Sequence, residues 1–288
     1  MSSFVLNKLT QRRIWARIYK ERLTEPLHLN LISAAVWLFG SYEAKVAHDL
    51  VVRQHNAYCI LQCAKNARAL GIDSVTLIEF GVAAGAGLLN MARIAASVTR
   101  ATGVKFKIYG FDTGSGMPAA RDYRDHPDLY QQSDFPMDAA KLRAVLPANV
   151  ELVIGDVSAT VPDFLARIDP TSPIGYVVLD LDYYTSTCEA LGIFRDVDAR
   201  KYLPVTLVYL DDISHERHNS WCGELLAIRE FNAEPLMRKI ERHAFLESER
   251  IFKRASWLNH VYYLHTLDHP KRTTTLDLPI RALVNPYL

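Results

Sequence analysis

Short apolar runs alternate with helical stretches through the middle of the chain, from about residue 71 onward. The runs read SVTLIEF, KFKIYGF, VELVIG, GYVVLDLD and PVTLVYLDD, with NHVYYLHTL later in the sequence. They contain valine and isoleucine and do not alternate strictly with polar residues, which is typical of strands buried on both faces of a parallel sheet. Stretches such as residues 86–100 and 191–199 can serve as crossover helices. The pattern predicts a doubly wound, Rossmann-like α/β sheet, mostly parallel, with an antiparallel late strand.

The residues before this pattern have helical spacing. In YEAKVAHDLVVRQHNAYCILQCAKNARALG, apolar residues recur every three or four positions, and the segment ends at Gly71, a helix stop. We therefore expect an N-terminal helical extension, residues 1–70, that caps the domain or joins subunits in a homo-oligomer. The ligand-binding domain then covers residues 71–267, and residues 268–288 form a C-terminal tail.

The start of this extension is basic. Six cations are interleaved with apolar residues against the single acid Glu21; they are Lys8, Arg12, Arg13, Arg17, Lys20 and Arg22. Such a helix can lie on a membrane surface. The interpretation we favour is a solvated basic face on a helix that docks on the domain or on a second subunit. No apolar run reaches membrane-spanning length.

Composition excludes several classes of protein. Of the 288 residues, 49% are hydrophobic and 23% are charged, which suits a soluble globular protein with a sizeable core. The net charge of +1 gives no global electrostatic case for binding nucleic acid. The four cysteines form no C-x-x-C pair, so we expect Cys59 and Cys63 to be small buried residues, not metal ligands. Together with the lack of a signal-peptide pattern, this indicates a reducing cytoplasm.

The stretch LIEFGVAAGAGLL reads as a strand, a glycine- and alanine-rich turn and the start of a helix. Gly81 and Gly85 let the backbone turn tightly and approach a ligand. The spacing differs from the G-x-G-x-x-G of dinucleotide-binding turns, and Glu79 would repel a pyrophosphate. A ligand with an ammonium group would be attracted, which favours S-adenosylmethionine over a dinucleotide. The alternative is a packing turn without a ligand.

Acidic residues also end the next two predicted strands. Asp112, in YGFDTGSGMP, lies where an acid can accept hydrogen bonds from both ribose hydroxyls of a nucleotide. Asp156, in VIGDVSATVPDF, ends the third strand, where an adenine amino group would lie. A helix-starting aspartate is the alternative for Asp156.

Four aspartates close the fourth and fifth strands. Asp180 and Asp182 follow GYVVL, and Asp211 and Asp212 follow LVYL. Adjacent strands lie about 4.8 Å apart, so the four carboxylates would crowd one small region and raise one another's pKa. A bound divalent cation relieves this repulsion, and oxygen ligands suit Mg²⁺, with Mn²⁺ or Ca²⁺ as alternatives.

On these motifs the chain resembles class I S-adenosylmethionine-dependent methyltransferases, specifically the metal-dependent macrocin-type sugar O-methyltransferases. The resemblance runs from about residue 77 to residue 231 and rests on EFGVAAGAG, GFDTGSGMP, GDVSATVP, DLDYYTST, LDD and GELLAIREF. It implies that Asp180, Asp211 and Asp212 bind the metal and that Asp182 is the general base. It also implies a cofactor site formed by Glu79, Gly81, Val82, Gly85, Asp112, Gly155, Asp156 and Asp180.

The expected reaction transfers the sulfonium methyl group to an alcohol oxygen. A metal lowers the pKa of that hydroxyl and a nearby carboxylate removes the proton. His215 and His218 are alternative bases. The acceptor expected from the resemblance is a sugar-containing small molecule; a catechol-type O-methyltransferase and a non-catalytic S-adenosylmethionine-binding module are the alternatives. The polar connection at residues 116–149 is either a lid over the site or a surface excursion.

Overall fold

The structure is a computed structural model that describes residues 15–16, 18–214 and 217–273. Most of the basic N-terminal positions, from Lys8 to Arg17, lie outside the described residues. So do His215 and residues 274–288 of the predicted tail.

The described residues form a seven-stranded sheet. Its strands are β1 (Ser74–Phe80), β2 (Lys105–Asp112), β3 (Val150–Ile154), β4 (Ile174–Leu179), β5 (Tyr202–Leu210), β6 (Arg238–Arg242) and β7 (Val261–Thr266). The order is β3-β2-β1-β4-β5-β7-β6, with parallel pairing from β3 to β5 and antiparallel pairing of β7 with both its neighbours. The predicted Rossmann-like sheet with an antiparallel late strand is confirmed. The sequence pattern missed β6, an edge strand rich in charged residues.

Helices cover both faces of this sheet. They are α1 (Leu27–Phe39), α2 (Tyr42–Ala47), α3 (Gln54–Ala69), α4 (Ala86–Thr102), α5 (Ala139–Arg143), α6 (Val157–Arg167), α7 (Tyr184–Ala190), α8 (Gly223–Ala233), α9 (Leu246–Glu249) and α10 (Pro270–Thr273). Residues Tyr19–Leu23 form one π-helical turn. Short 3₁₀ turns occur at Tyr123–Asp125, Leu191–Phe194, Ala199–Lys201 and Ser256–His260.

The prediction of a crossover helix at residues 191–199 is wrong. The α-helix there is α7, which ends at Ala190, and only 3₁₀ turns follow. Asp196 accepts a hydrogen bond from the N–H of Asp198, and Asp198 accepts one from the N–H of Arg200. These local side-chain contacts favour turns over a continuing helix.

Two hydrophobic clusters lie on opposite faces of the sheet. One joins α3 and α4 to the strands and contains Cys59 and Cys63, both fully buried and free, as expected. The other joins α6 and α8 to the strands around Phe111 and Phe164. Helix α3 thus packs on the sheet, although it lies within the predicted N-terminal extension. The predicted division of the chain at residue 70 stays a prediction.

Helix α1 contrasts with α3 because most of its apolar side chains are exposed. They include Leu27, Leu31, Trp37, Leu38 and Phe39, the last with 86% of its surface accessible. In the described part of the chain, no helix is both long enough and apolar enough to cross a membrane.

Candidate active site

A cavity of about 530 Å³ opens at the carboxyl ends of the central strands. It lies where the strand order changes direction, between β1 and β4, which is the usual ligand-binding position in open α/β sheets. Its lining includes nearly all the residues predicted from sequence: Glu79, Gly81, Val82, Asp112, Asp156, Asp180, Asp182, Asp211 and Asp212. Gly85 and Gly155 adjoin lining residues in the chain.

The turn after β1 requires glycine at position 81. Gly81 has φ of +82°, and a Cβ atom there would lie 1.6 Å from the backbone carbonyl oxygen of Asp180. The ends of β1 and β4 therefore approach each other more closely than any side chain allows. Gly85, with φ of +81°, then starts α4.

Glu79 is the second-last residue of β1, and its side chain lies inside the cavity wall. Only 2% of it is exposed, and a Cβ atom on Gly87 would lie 1.9 Å from its Oε1 atom, so Gly87 makes room for this carboxyl. Its Oε2 atom has no hydrogen-bond partner among the described residues. Burial raises the pKa of Glu79 to about 8, partly offset by Arg53, while Asp211 and Asp112 raise it further. A buried carboxyl that lacks a partner fits a ligand that supplies a cationic donor.

Asp112 holds the glycine turn together. Its Oδ2 atom accepts hydrogen bonds from the N–H groups of Val82, at 3.0 Å, and Ala83, at 2.8 Å. Its Oδ1 atom accepts one from the N–H of Gly114, at 2.7 Å. A carboxylate offers about four acceptor positions, so the turn uses most of them. The predicted contact of Asp112 with a ribose stays a prediction.

Asp156 starts α6 as an N-cap. Its side chain accepts hydrogen bonds from the N–H and the hydroxyl of Ser158, which lower its pKa. The helix-starting alternative is therefore present in the structure, while the residue also lines the cavity.

Three aspartates form a compact cluster in the same cavity. One carboxylate oxygen each from Asp180, Asp211 and Asp212 lie within 4.8 Å of one another. Strand β5 ends at Leu210 and the chain turns at once, so both members of the Asp pair reach the same place. Burial and then neighbouring acids raise the pKa of Asp180 and of Asp212 well above the usual range.

Asp182 reaches the cluster through a turn. It would share a side with Asp180 if the strand continued, but β4 ends at Leu179 and Asp182 has φ of +59°. The turn brings its N–H to within 3.2 Å of Asp212 Oδ2. Burial raises the pKa of Asp182, while a hydrogen bond from the hydroxyl of Tyr130 opposes that shift.

Glu224 is a further carboxyl at this cluster, and no role was predicted for it from the sequence. It lies in the first turn of α8 and is 1% exposed. Its Oε2 atom accepts a hydrogen bond from the N–H of Asp212 at 3.2 Å, and its Oε1 atom has no partner in the described chain. Burial, followed by the charge of Asp180, raises its pKa. Glu224 is the first glutamate of the motif GELLAIREF, to which the sequence analysis assigned no role.

Two histidines lie beside Asp182. His218 stacks on His126, with ring centroids 4.7 Å apart. The Nδ1 atom of His218 contacts the backbone carbonyl of Asp212, and because a carbonyl only accepts, Nδ1 is the donor. The Nε2 atom of His218 faces the hydroxyl of Tyr130 at 3.5 Å. His218 is thus near the cluster, as its candidacy as a base required.

The connection at residues 116–149 contributes to the cavity wall. Met117, Tyr130, Asp134 and Phe135 line it, opposite the strand ends. The structure therefore favours the lid interpretation of this segment over a surface excursion.

The site fits a hard divalent cation. Neighbouring acids and burial raise the pKa values of Asp180 and Asp212. One carboxylate oxygen each from Asp180, Asp211 and Asp212 can converge on one ion. It also fits a ligand with an ammonium group, because Glu79 is buried with one oxygen unpartnered.

No protein-family model matches the sequence, and no curated protein matches it. Several solved structures are similar to this chain. CalS11, a calicheamicin methyltransferase, is 26% identical, with 63% of this chain and 73% of that chain covered and a TM-score of 0.47. MycE, a methyltransferase from the mycinamycin biosynthetic pathway, was solved with Mg, SAH and mycinamycin VI. It is 12% identical, with 71% and 48% covered and a TM-score of 0.38.

A third similar structure is the 23S rRNA methyltransferase ErmE, at 14% identity, with 73% of this chain and 68% of that chain covered and a TM-score of 0.30. All three are described as methyltransferases. The sheet of this chain is Rossmann-like, mostly parallel, with an antiparallel late strand.

Proposed function

We propose that the protein is an S-adenosylmethionine- and divalent-metal-dependent O-methyltransferase that acts on a hydroxyl of a sugar or a glycosylated small molecule. The observation that carries this proposal is the convergence of Asp180, Asp211 and Asp212 beside the glycine turn, in one cavity. A nucleotide-binding turn alone occurs in many enzymes. A cluster of three converging aspartates beside it suits methyl transfer to a hydroxyl that must be made acidic.

Each residue then has a defined task. Glu79 receives the ammonium group of the cofactor, and Asp112 keeps the turn in the shape that admits it. Asp180, Asp211 and Asp212 would hold the cation, which supplies Lewis-acid polarisation of the acceptor hydroxyl. Most of the gain in rate comes from holding that hydroxyl in line with the methyl group.

Asp182 removes the proton. It lies next to the cluster, and the Tyr130 hydroxyl that donates to its carboxylate fixes its orientation. In the transfer, the acceptor O–H bond breaks, its proton goes to the Asp182 carboxylate, and the oxygen forms a bond to carbon as the S–CH₃ bond breaks. His218 remains the alternative base.

The acceptor class follows from the macrocin-type motifs and from the wall opposite the strands. Tyr130 and Phe135 offer aromatic faces and Arg121 and Asp134 offer polar groups, a mixture suited to a sugar ring. With its four free cysteines, the protein belongs in a reducing cytoplasm.

A second copy of the chain is the partner that best fits α1. Leu27, Leu31, Trp37 and Phe39 project from several sides of this helix, which carries no Lys, Arg, Asp or Glu. A membrane-surface helix needs a charged face, whereas a helix that is apolar all round is normally buried against protein. Light scattering should show that the wild-type protein is an oligomer and that the double variant Leu31→Glu with Trp37→Glu is a monomer. A monomeric wild-type protein would refute the proposal that α1 binds a second copy of the chain.

The function is tested by transfer of a labelled methyl group from S-adenosylmethionine. The assay offers glycosides, catechols and RNA as acceptors, in the presence of Mg²⁺. We expect label on a sugar oxygen, identified by mass spectrometry of the product. Label on a nitrogen or on RNA would refute the O-methyltransferase assignment, and label on catechols alone would refute the sugar acceptor.

A further inference from the structure

Arg53 lies in the wall of the cavity, together with the acidic residues of the candidate site. It immediately precedes α3 and is half buried. It therefore comes from the helical extension before the sheet, a segment to which the sequence motifs assign no part of the cofactor site. A second arginine, Arg121, also lines the cavity, but its guanidinium is paired with Glu189 at 2.8 Å.

The guanidinium of Arg53 has no such partner. It forms no hydrogen bond and no ion pair with any residue of the described chain. It is nevertheless close enough to Glu79 and Asp180 to lower the pKa of both carboxyl groups. Five donors in a planar fork thus face the ligand space without being used by the protein.

Helix stability does not explain an arginine at this position. Arg53 is the N-cap of α3, makes no side-chain capping bond there and has left-handed backbone angles, with φ of +57°. A basic side chain is unfavourable at the positive end of a helix dipole, where Ser, Thr, Asp or Asn is preferred. A ligand that needs a cation at this point accounts for the residue better than local folding does.

The cofactor assigned under the proposed function has such a need. Its amino-acid end carries an ammonium and a carboxylate group together. Glu79, buried with Oε2 unpartnered, suits the ammonium. The carboxylate would be repelled by the surrounding acids, and a guanidinium binds carboxylates with paired N–H donors.

We propose that Arg53 binds the carboxylate of the methionine part of S-adenosylmethionine, opposite the ammonium at Glu79. This assignment rests on the proposed function and deepens it, because it makes the segment before the sheet a part of the cofactor site. Arg53 is a binding residue here, and it acts equally on the product S-adenosylhomocysteine.

Calorimetry with two ligands tests this directly. One is S-adenosylhomocysteine and the other is its decarboxylated analogue, which keeps the ammonium and lacks only the carboxylate. Wild-type protein should bind the first roughly 10-fold or more tightly than the second, as expected for a hydrogen bond between charged groups. Arg53→Met should remove this preference by weakening only S-adenosylhomocysteine. Arg121→Met, which takes the same charge from the same cavity, should keep the preference.

The outcomes separate the two proposals. Wild-type protein that binds neither ligand would refute the proposed function, and this inference with it. Wild-type protein that binds both equally, or an Arg53→Met variant that keeps the preference, would refute this inference alone. If Arg53→Met does not fold, the wild-type comparison still decides, and Arg53→Lys should show a reduced preference.

Discussion

The backbone carbonyl of Asp180 occupies the space that a side chain on Gly81 would need, with only 1.6 Å to a Cβ atom built there. This contact joins the glycine turn after β1 to the aspartate cluster after β4. The candidate cofactor site and the candidate metal site thus meet at one point of the backbone.

Gly81→Ala should destabilise the protein strongly. The new Cβ meets backbone that cannot rotate away, and φ of +82° is strained for any residue with a side chain. Overpacking and left-handed strain together cost about 2–5 kcal/mol. Urea denaturation measures this loss.

Gly103→Ala is the matched control, because Gly103 has φ of +84° and nothing within 4 Å of its Cβ position. It should lose only the strain, about 1–2 kcal/mol. Equal losses in the two variants would show that the approach of Gly81 to Asp180 is not tight.

Asp112→Ala should loosen the turn and weaken binding of S-adenosylhomocysteine. The substitution removes the acceptor of three backbone N–H groups. Hydrogen bonds to a charged group are worth about 1.5–3 kcal/mol each, so a loss of at least that size in the free energy of unfolding is expected. Denaturation and calorimetry measure the two effects. An unchanged ligand affinity in a folded variant would remove Asp112 from the cofactor site.

Asp182→Asn should abolish turnover and leave the affinity for Mg²⁺ largely intact, because Asp182 lies beside the cluster and its proposed task is to take the proton. Asp211→Asn should weaken the metal affinity first, since Asp211 supplies one of the converging oxygens. Titration with Mn²⁺ and steady-state kinetics separate the two. If Asp182→Asn retains activity while His218→Ala loses it, the histidine is the base.

The metal-free protein should lose stability as the pH rises from about 4.5 to about 8. Burial raises the pKa of Glu79 from 4.5 to about 8, so the folded protein holds a proton in this range that the unfolded chain has released. The folded state then binds more protons, and the free energy of unfolding falls with increasing pH. The raised pKa values of Asp180 and Asp212 act in the same direction.

Thermal denaturation at several pH values checks this slope. Glu79→Gln should flatten it, and Mg²⁺ should reduce it, because the cation binds the ionised cluster. A slope of the opposite sign would contradict the assignment of Glu79 as a buried, unpartnered acid.

The parts of this site that could be predicted from sequence are those set by the sheet. The carboxyl ends of parallel strands share one edge, so Glu79, Asp112, Asp180 and the Asp211–Asp212 pair had to come together once the strands were recognised. The residues that were missed reach the site from elsewhere. Glu224 starts a helix, Tyr130 comes from the long connection, and Arg53 precedes α3, so only tertiary packing brings them in.

Local turns were the other source of error. The sequence pattern does not indicate that β4 stops at Leu179 or that Asp182 takes a left-handed conformation. The same holds for residues 191–199, where Asp196 and Asp198 bond to their own backbone. At residues 196–200, short-range hydrogen bonds of aspartate override a pattern that would allow a longer helix. At the end of β4, a hydrogen bond from the N–H of Asp182 to Asp212, which is distant in sequence, stabilises the turn.

Methyl transfer in excess chelator tests the central claim most directly. Enzyme that is active on a glycoside acceptor with Mg²⁺ should lose its turnover when EDTA is added and recover it when Mg²⁺ is restored above the chelator. Asp211→Asn should need a higher Mg²⁺ concentration for the same recovery. Full turnover in excess chelator would contradict the account, because Asp180, Asp211 and Asp212 would then have no metal to hold.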